Sequence, residues 1–136
     1  MLANGATLKV KKKGENEYTD LPGLKELPDM GTDPEKVENT CLTDTVKQYE
    51  NGIGDAGDLA YKFKYDNASD ASAYRILREI QDSGDAADFQ ETLKDGTTTE
   101  FKAQVSVKRN GAGVNGAMEF TASMTLQSEL NITDPA

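Results

Sequence analysis

The sequence predicts a mainly β fold, a β-sandwich or barrel of antiparallel strands with one α-helix packed against it. Three observations predict it. Apolar residues recur at every second position in four separate stretches, helical spacing occurs in only one, and no internal repeat or low-complexity segment breaks the pattern.

The first stretch, residues 7–13, alternates Leu8 and Val10 with Lys9 and Lys11, the period of a strand with one buried face. From Gly14 to Gly57 the character changes: Pro22, Pro28, Pro34 and six glycines lie among many acids, which predicts short strands and one long loop over about 31–57. Leu59, Tyr61, Phe63 and Tyr65 then predict a half-buried strand with an aromatic core face. Ser69 or Asp70 is positioned to cap a helix running to about Asp82. In that helix Ala73, Tyr74, Leu77 and Ile80 form one face, and Ser83-Gly84 stops it. A strand around Phe89 to Leu93 and an Asp95-Gly96 turn follow, then alternating Phe101, Ala103, Val105 and Val107. After the flexible hairpin loop Asn110 to Gly116, Met118, Phe120, Ala122, Met124 and Leu126 repeat the alternation, and residues 129–136 read as an extended tail. A length of 136 residues fits one domain spanning the whole chain.

Composition excludes several function classes. The net charge of -9 and pI near 4.5 argue against a protein that grips nucleic acid by its phosphates, which takes clustered Lys and Arg. The basic run Lys9, Lys11, Lys12 and Lys13 offers at best a weak, salt-sensitive contact. Residues 14–57 carry eleven acidic and three basic side chains, so that run is expected to pair with acids in the same protein or in a neighbouring copy. A single cysteine, Cys41, leaves no internal disulfide and suits a reducing cytoplasm. No signal-type apolar run is present near the N-terminus, and no segment approaches the roughly 20 apolar residues of a membrane helix.

Chemical motifs resolve into structural explanations. Gly52, Gly54 and Gly57, and again Gly111, Gly113 and Gly116, match G-x-G-x-x-G, but each runs into a strand, whereas a pyrophosphate needs the helix N-terminus behind the loop. Without histidine there is no ordinary proton shuttle or nitrogen ligand, and Cys41 lacks a base and has Glu38 and Asp44 nearby, which disfavour a thiolate. Nothing sets two carboxylates across an aromatic cleft for glycoside chemistry. Asp66, Asn67 and Asp70 lack the regular spacing of a calcium loop, and helix capping accounts for Asp70. The sequons at Asn67 and Asn131 have meaning only in a secreted protein. The chain is therefore not expected to be an enzyme, and neither a cofactor nor a metal is expected.

The order of elements, with Leu21-Pro22-Gly23-Leu24-Lys25-Glu26-Leu27-Pro28-Asp29-Met30-Gly31, then Pro34-Glu35-Lys36-Val37-Glu38-Asn39-Thr40 and Leu42-Thr43-Asp44, resembles the siphophage major tail tube proteins. The shared pattern is a Pro-Asp-x-Gly turn, a Pro-Glu-x-apolar segment and a Thr-x-Leu-x-Asp stretch. Tyr49, Gly52-Ile53, Gly57-Asp58-Leu59, the run Phe101 to Ser106, Gly113-Val114-Asn115 and Phe120 extend the similarity over most of the chain.

The resemblance implies a virion component, assembled in the host bacterial cytoplasm, whose subunits form stacked rings, usually of six, around a conduit for DNA. It implies contacts to neighbouring subunits or rings through Thr32, Asp33, Pro34, Glu35, Lys36, Thr40, Leu42, Asp44, Tyr49 and Ile53 of the long loop. Further contacts are implied through Lys9, Lys11 and Lys12 of the first strand and through the C-terminal tail. Glu100 and Glu119, opposite the apolar strand faces, are candidate lumen-facing acids that would repel phosphate. The implied partners are further copies of the chain, other tail proteins such as the tape measure and the tail terminator, and DNA passing without specific binding. No membrane is involved. Two alternatives stand beside it: the tube protein of a contractile injection or type VI secretion system, and a non-catalytic ligand-binding β-sandwich.

Overall fold

The computed structural model describes residues 1–31, 33–38, 40–42, 46, 49–55 and 58–135. In chain order the elements are β1 (Thr7–Lys11), β2 (Thr19–Asp20), β3 (Leu24–Glu26), β4 (Asp33–Glu38), β5 (Tyr49–Asp55), β6 (Asp58–Lys64), α1 (Ala73–Ser83), β7 (Ala87–Thr92), β8 (Thr98–Arg109), β9 (Glu119–Leu126) and β10 (Asn131–Thr133). All strands but β4 and β5 belong to one antiparallel sheet ordered β2-β1-β7-β8-β9-β6-β3, and β10 pairs with the start of β8. The sheet is curled into a half-barrel with α1 packed against the same core, as the barrel reading expects.

Alternation decides which face each strand turns inward. Along β6, β7, β8 and β9 every second residue is buried, and the cross-strand register aligns those residues in rows. Phe63 lies directly opposite Phe120 with ring centroids 5.1 Å apart, and Phe89 lies opposite Phe101 at 5.5 Å. Such aromatic pairs add about 0.5–1.5 kcal/mol beyond the area they bury. Ala73, Ile76, Leu77 and Ile80, one stripe of α1, complete the core with Leu8, Val10 and Met124.

The ends of the sheet are tied by one short stretch of chain. β2 pairs with β1 and β3 pairs with β6; between them the Leu21 N–H donates to Leu8 O at 2.9 Å, and Gly23 O accepts from the Lys64 N–H at 2.7 Å. Residues 19–26 thus bridge the two borders of the half-barrel, and Leu21 is buried beneath them.

Three local expectations are corrected. The helix starts at Ala73 after Ser72, not after Ser69 or Asp70. The two side chains expected to cap it are used otherwise: Ser69 Oγ accepts from the Ala71 N–H in a turn, and Asp70 Oδ1 accepts from the Arg75 guanidinium. The segment 31–57 is not one long loop, since β4 and β5 form a two-stranded antiparallel hairpin within it. The tail at 129–136 is not simply extended, because β10 lies alongside Thr98–Glu100, continuing the edge of β8 that β9 leaves after Leu126.

Gly84 stops the helix as expected, with φ 73° and its N–H bonded to Gln81 O. No atom lies within 4 Å of where a Cβ would sit. Gly84→Ala is therefore expected to cost about 1–2 kcal/mol through the left-handed backbone alone, measured as a lower urea midpoint with an unchanged slope.

Candidate assembly surfaces

Strand direction sorts the loops between the two ends of the half-barrel. One end carries the connections 12–18, 65–72, 84–86 and 110–118; the other carries the N-terminal residues, the 93–97 turn, the β9–β10 connection and the departure of the β4–β5 hairpin between β3 and β6. Large apolar side chains left exposed sort unevenly between them. Met1, Leu2, Leu42, Val46 and Ile132 lie on segments of the second end, with Leu42 exposed to 107%. Val114 (104%) and Met118 (37%) mark the first, on the β8–β9 loop. Exposed apolar side chains gathered on projecting segments are the usual mark of a contact surface.

Of the loop residues expected to touch neighbours, Asp33, Pro34, Glu35 and Lys36 fall on β4, and Tyr49 and Ile53 on β5. Thr40 and Leu42 lie between these strands and are exposed. Thr32 and Asp44 lie outside the described residues. Gly52 and Gly54 sit inside strand β5, and Gly111 to Gly116 form the loop before strand β9, so neither glycine pattern opens a helix.

The lysine run finds its partners elsewhere than in 14–57. Lys11 Nζ is 4.0 Å from Asp88, Lys12 Nζ donates to Glu79 at 2.9 Å, and Lys13 Nζ is 3.9 Å from Asp85. These acids belong to β7, α1 and the connection between them, and of the three lysines Lys12 is the one that ties the end of β1 to the helix. Lys11 also lies 5.0 Å over the Tyr18 ring. Lys9 takes the outer face of β1 opposite Gln90.

Glu100 and Glu119 occupy the outer face of the sheet, as their alternation implies. Glu119 is flanked by two cations: Lys25 Nζ donates to it at 3.1 Å and Lys62 Nζ lies 4.0 Å away, and Lys62 also lies 3.6 Å from Glu26. Glu100 accepts from Gln90 Nε2 at 3.1 Å. On the outward positions of β1 and β6–β9 stand six lysines, Lys9, Lys11, Lys62, Lys64, Lys102 and Lys108, against the four acids Asp58, Asp88, Glu100 and Glu119. Between them lie mostly serine, threonine and glutamine. The strong negative charge of the chain therefore resides off this face.

A feature missed in the sequence is the part played by Arg75. Its guanidinium donates to Asn67 Oδ1 at 3.0 Å, Asn67 O at 3.1 Å and Asp70 Oδ1 at 2.7 Å. It takes up Asn67 and Asp70, two of the residues weighed as cation ligands, and Asp70 serves as its counter-ion instead of a helix cap. The helical spacing of Arg75 suggested only a solvated face.

Comparison with known proteins places this architecture. The sequence model of the phage tail tube protein family matches residues 4–134. The tail of an empty GTA particle, determined with C6 symmetry, superposes with a TM-score of 0.72 at 19% identity, over 97% of this chain and 99% of that one. The SPP1 tail tube superposes at 0.72 and 12% identity, over 99% of this chain and 80% of that one. A chain of the six-fold symmetrised anti-feeding prophage baseplate gives 0.74 at 12% identity, over 98% of this chain and 95% of that one. No curated protein matches the sequence.

Proposed function

The chain belongs to the phage tail tube protein family, and from that premise we propose that its copies close head to tail into rings of six that stack into a hollow tube for DNA. The observation that carries the reading is the family match over nearly the whole chain, in a fold shared with tubes of six-fold symmetry. A contact between two different patches of the same subunit makes a ring when its rotation closes. The uneven ends of the half-barrel supply two such patches.

In this reading the β4–β5 hairpin, including Asp33 to Lys36, Tyr49 and Ile53, reaches an adjacent subunit or ring, as do Leu42 and the segment around β10. Thr32, Thr40 and Asp44 belong to the same contact. Lys9, Lys11 and Lys12 of the first strand add to the same contact, while Lys12 also ties the end of that strand to Glu79 of α1. Glu100 and Glu119 face the bore among lysines and hydroxyl groups, where with Asp58 and Asp88 they offset most of the positive charge of the six outward lysines and so weaken the hold of the lining on passing phosphate. The tape measure and the tail terminator are partners along the bore and at its end, assembly takes place in the host bacterial cytoplasm, and the role involves no catalytic step.

A tube of a contractile injection system is the second reading, favoured by a like fold, with a TM-score of 0.74 to a chain of the sheath-tube complex of an extracellular contractile injection system at 10% identity. Immunogold labelling of purified particles with antibody against this chain separates the two. Label along a tail without a sheath supports the phage tube, whereas label confined to cores emerging from contracted sheaths supports the other.

A further inference from the structure

One ionisable pair inside the half-barrel has no part in assembly. Tyr61 on β6 is fully buried, Glu91 on β7 is 5% exposed, and the Tyr61 hydroxyl donates to Glu91 Oε2 at 2.6 Å. In the sheet, β8 and β9 stand between β7 and β6. A flat sheet would hold those strands roughly 14 Å apart with their side chains standing side by side. The two groups meet because the sheet is curled, and their bond ties one wall of the barrel to the other.

Among the described residues, no counter-ion stands beside the pair. Leu8 and Thr99 flank Glu91 on β1 and β8, Phe101 stacks on Tyr61, and the buried stripe of α1 is Ala73, Ile76, Leu77 and Ile80. The charged groups of these elements point elsewhere. Lys9, Lys11, Lys62, Asp88, Glu100, Lys102 and Glu119 alternate to the outer face, Arg75, Arg78, Glu79 and Asp82 lie off the buried stripe of α1, and Lys94 and Asp95 sit in the exposed β7–β8 turn.

We infer that Tyr61 and Glu91 form a pH-sensitive tie on the curl of the sheet: a carboxyl buried between the walls keeps its proton more readily in the fold than in the unfolded chain, and ionising it there costs the fold stability. Burial pushes the Glu91 carboxyl above the ordinary glutamate range, against the opposing pull of the tyrosine hydrogen bond, and burial beside Glu91 raises the Tyr61 hydroxyl. The folded state then holds a proton that the unfolded chain has already released. The stabilisation is complete below the ordinary glutamate range and is lost as pH rises through the folded value.

The test is thermal unfolding of the wild type and Glu91→Gln from pH 4 to pH 9, with the Glu91 carboxyl followed by carbon-13 NMR in the wild type. Glu91→Gln keeps an acceptor for Tyr61 and carries no ionisable proton. The gap in Tm is expected to shift in favour of the variant as pH rises, by about 3–5 °C for each tenfold gain in proton affinity on folding. In Tyr61→Phe the carboxyl is expected to titrate higher still, because the bond that favours its charged form is gone. A Glu91 carboxyl titrating in the ordinary glutamate range, or parallel stability curves for the two proteins, overturns the inference. The carboxyl titration decides the matter even if the variant fails to fold.

Discussion

Replacing residues 33–55 by a short Gly-Ser linker is expected to leave a folded subunit that no longer forms tubes. β4 and β5 pair only with each other and lend no strand to the main sheet. The neighbours β3 and β6 are themselves paired through Glu26 and Lys62, so a short connection can join them, and shortening a loop costs little or stabilises slightly. The thermal midpoint should therefore stay within a few degrees of the parent. Assembly should be lost entirely, because the hairpin segment carries Leu42 and Val46, two of the exposed large apolar side chains of the subunit. Circular dichroism against temperature and electron microscopy of the same sample check both halves. Tubes of normal length from the shortened chain would remove the hairpin from the account.

Phe120→Ala is expected to show the opposite profile, with a large loss of stability that precedes any effect on assembly. Phe120 is fully buried on β9, stacked on Phe63 at 5.1 Å and met edge-on by Tyr74 of the helix at 5.2 Å. It is the point where the sheet, the β6 border and α1 converge. Truncation removes the ring and leaves a cavity that surrounding strands cannot fill without breaking register, which places the cost at about 3–5 kcal/mol. For a domain of this size that lowers Tm by roughly 10–20 °C. Ser123→Ala, on the outer face of the same strand, should change Tm by little and serves as the control. A Phe120→Ala protein as stable as the Ser123 variant would mean that the core is not organised around this contact.

The strands that build the half-barrel were legible in the residues because one face of each is buried and the other wet. Tyr61 and Phe63 on β6, Phe101 to Val105 on β8 and Phe120 to Met124 on β9 carry that signal without interruption. Gly84 was legible as a helix stop for a similarly local reason. β4 and β5 were not legible: Pro34, Gly52 and Gly54 weaken strand propensity, and the hairpin is held by its own ladder of backbone pairs. β10, three residues long, carries no alternation and exists because β8 outruns β9.

The contact surfaces were less legible than the fold. Alternation places Glu100 and Glu119 on the outer face, but only the tertiary structure brings Lys25 and Lys62 to Glu119. The lysine run signalled a need for acids, yet nothing local distinguishes Asp88, Glu79 and Asp85 from the eleven acids of residues 14–57. Glu91 was the hardest to read. It occupies an inward position in the alternation of β7, and only the curl of the sheet supplies Tyr61 as its partner.

The most direct test of the central claim is electron microscopy of the purified, concentrated protein, with the symmetry of any assembly read from averaged end views. The account predicts hollow tubes of uniform width built from stacked six-fold rings. A monodisperse monomer at every concentration, or solid filaments without a bore, would contradict it.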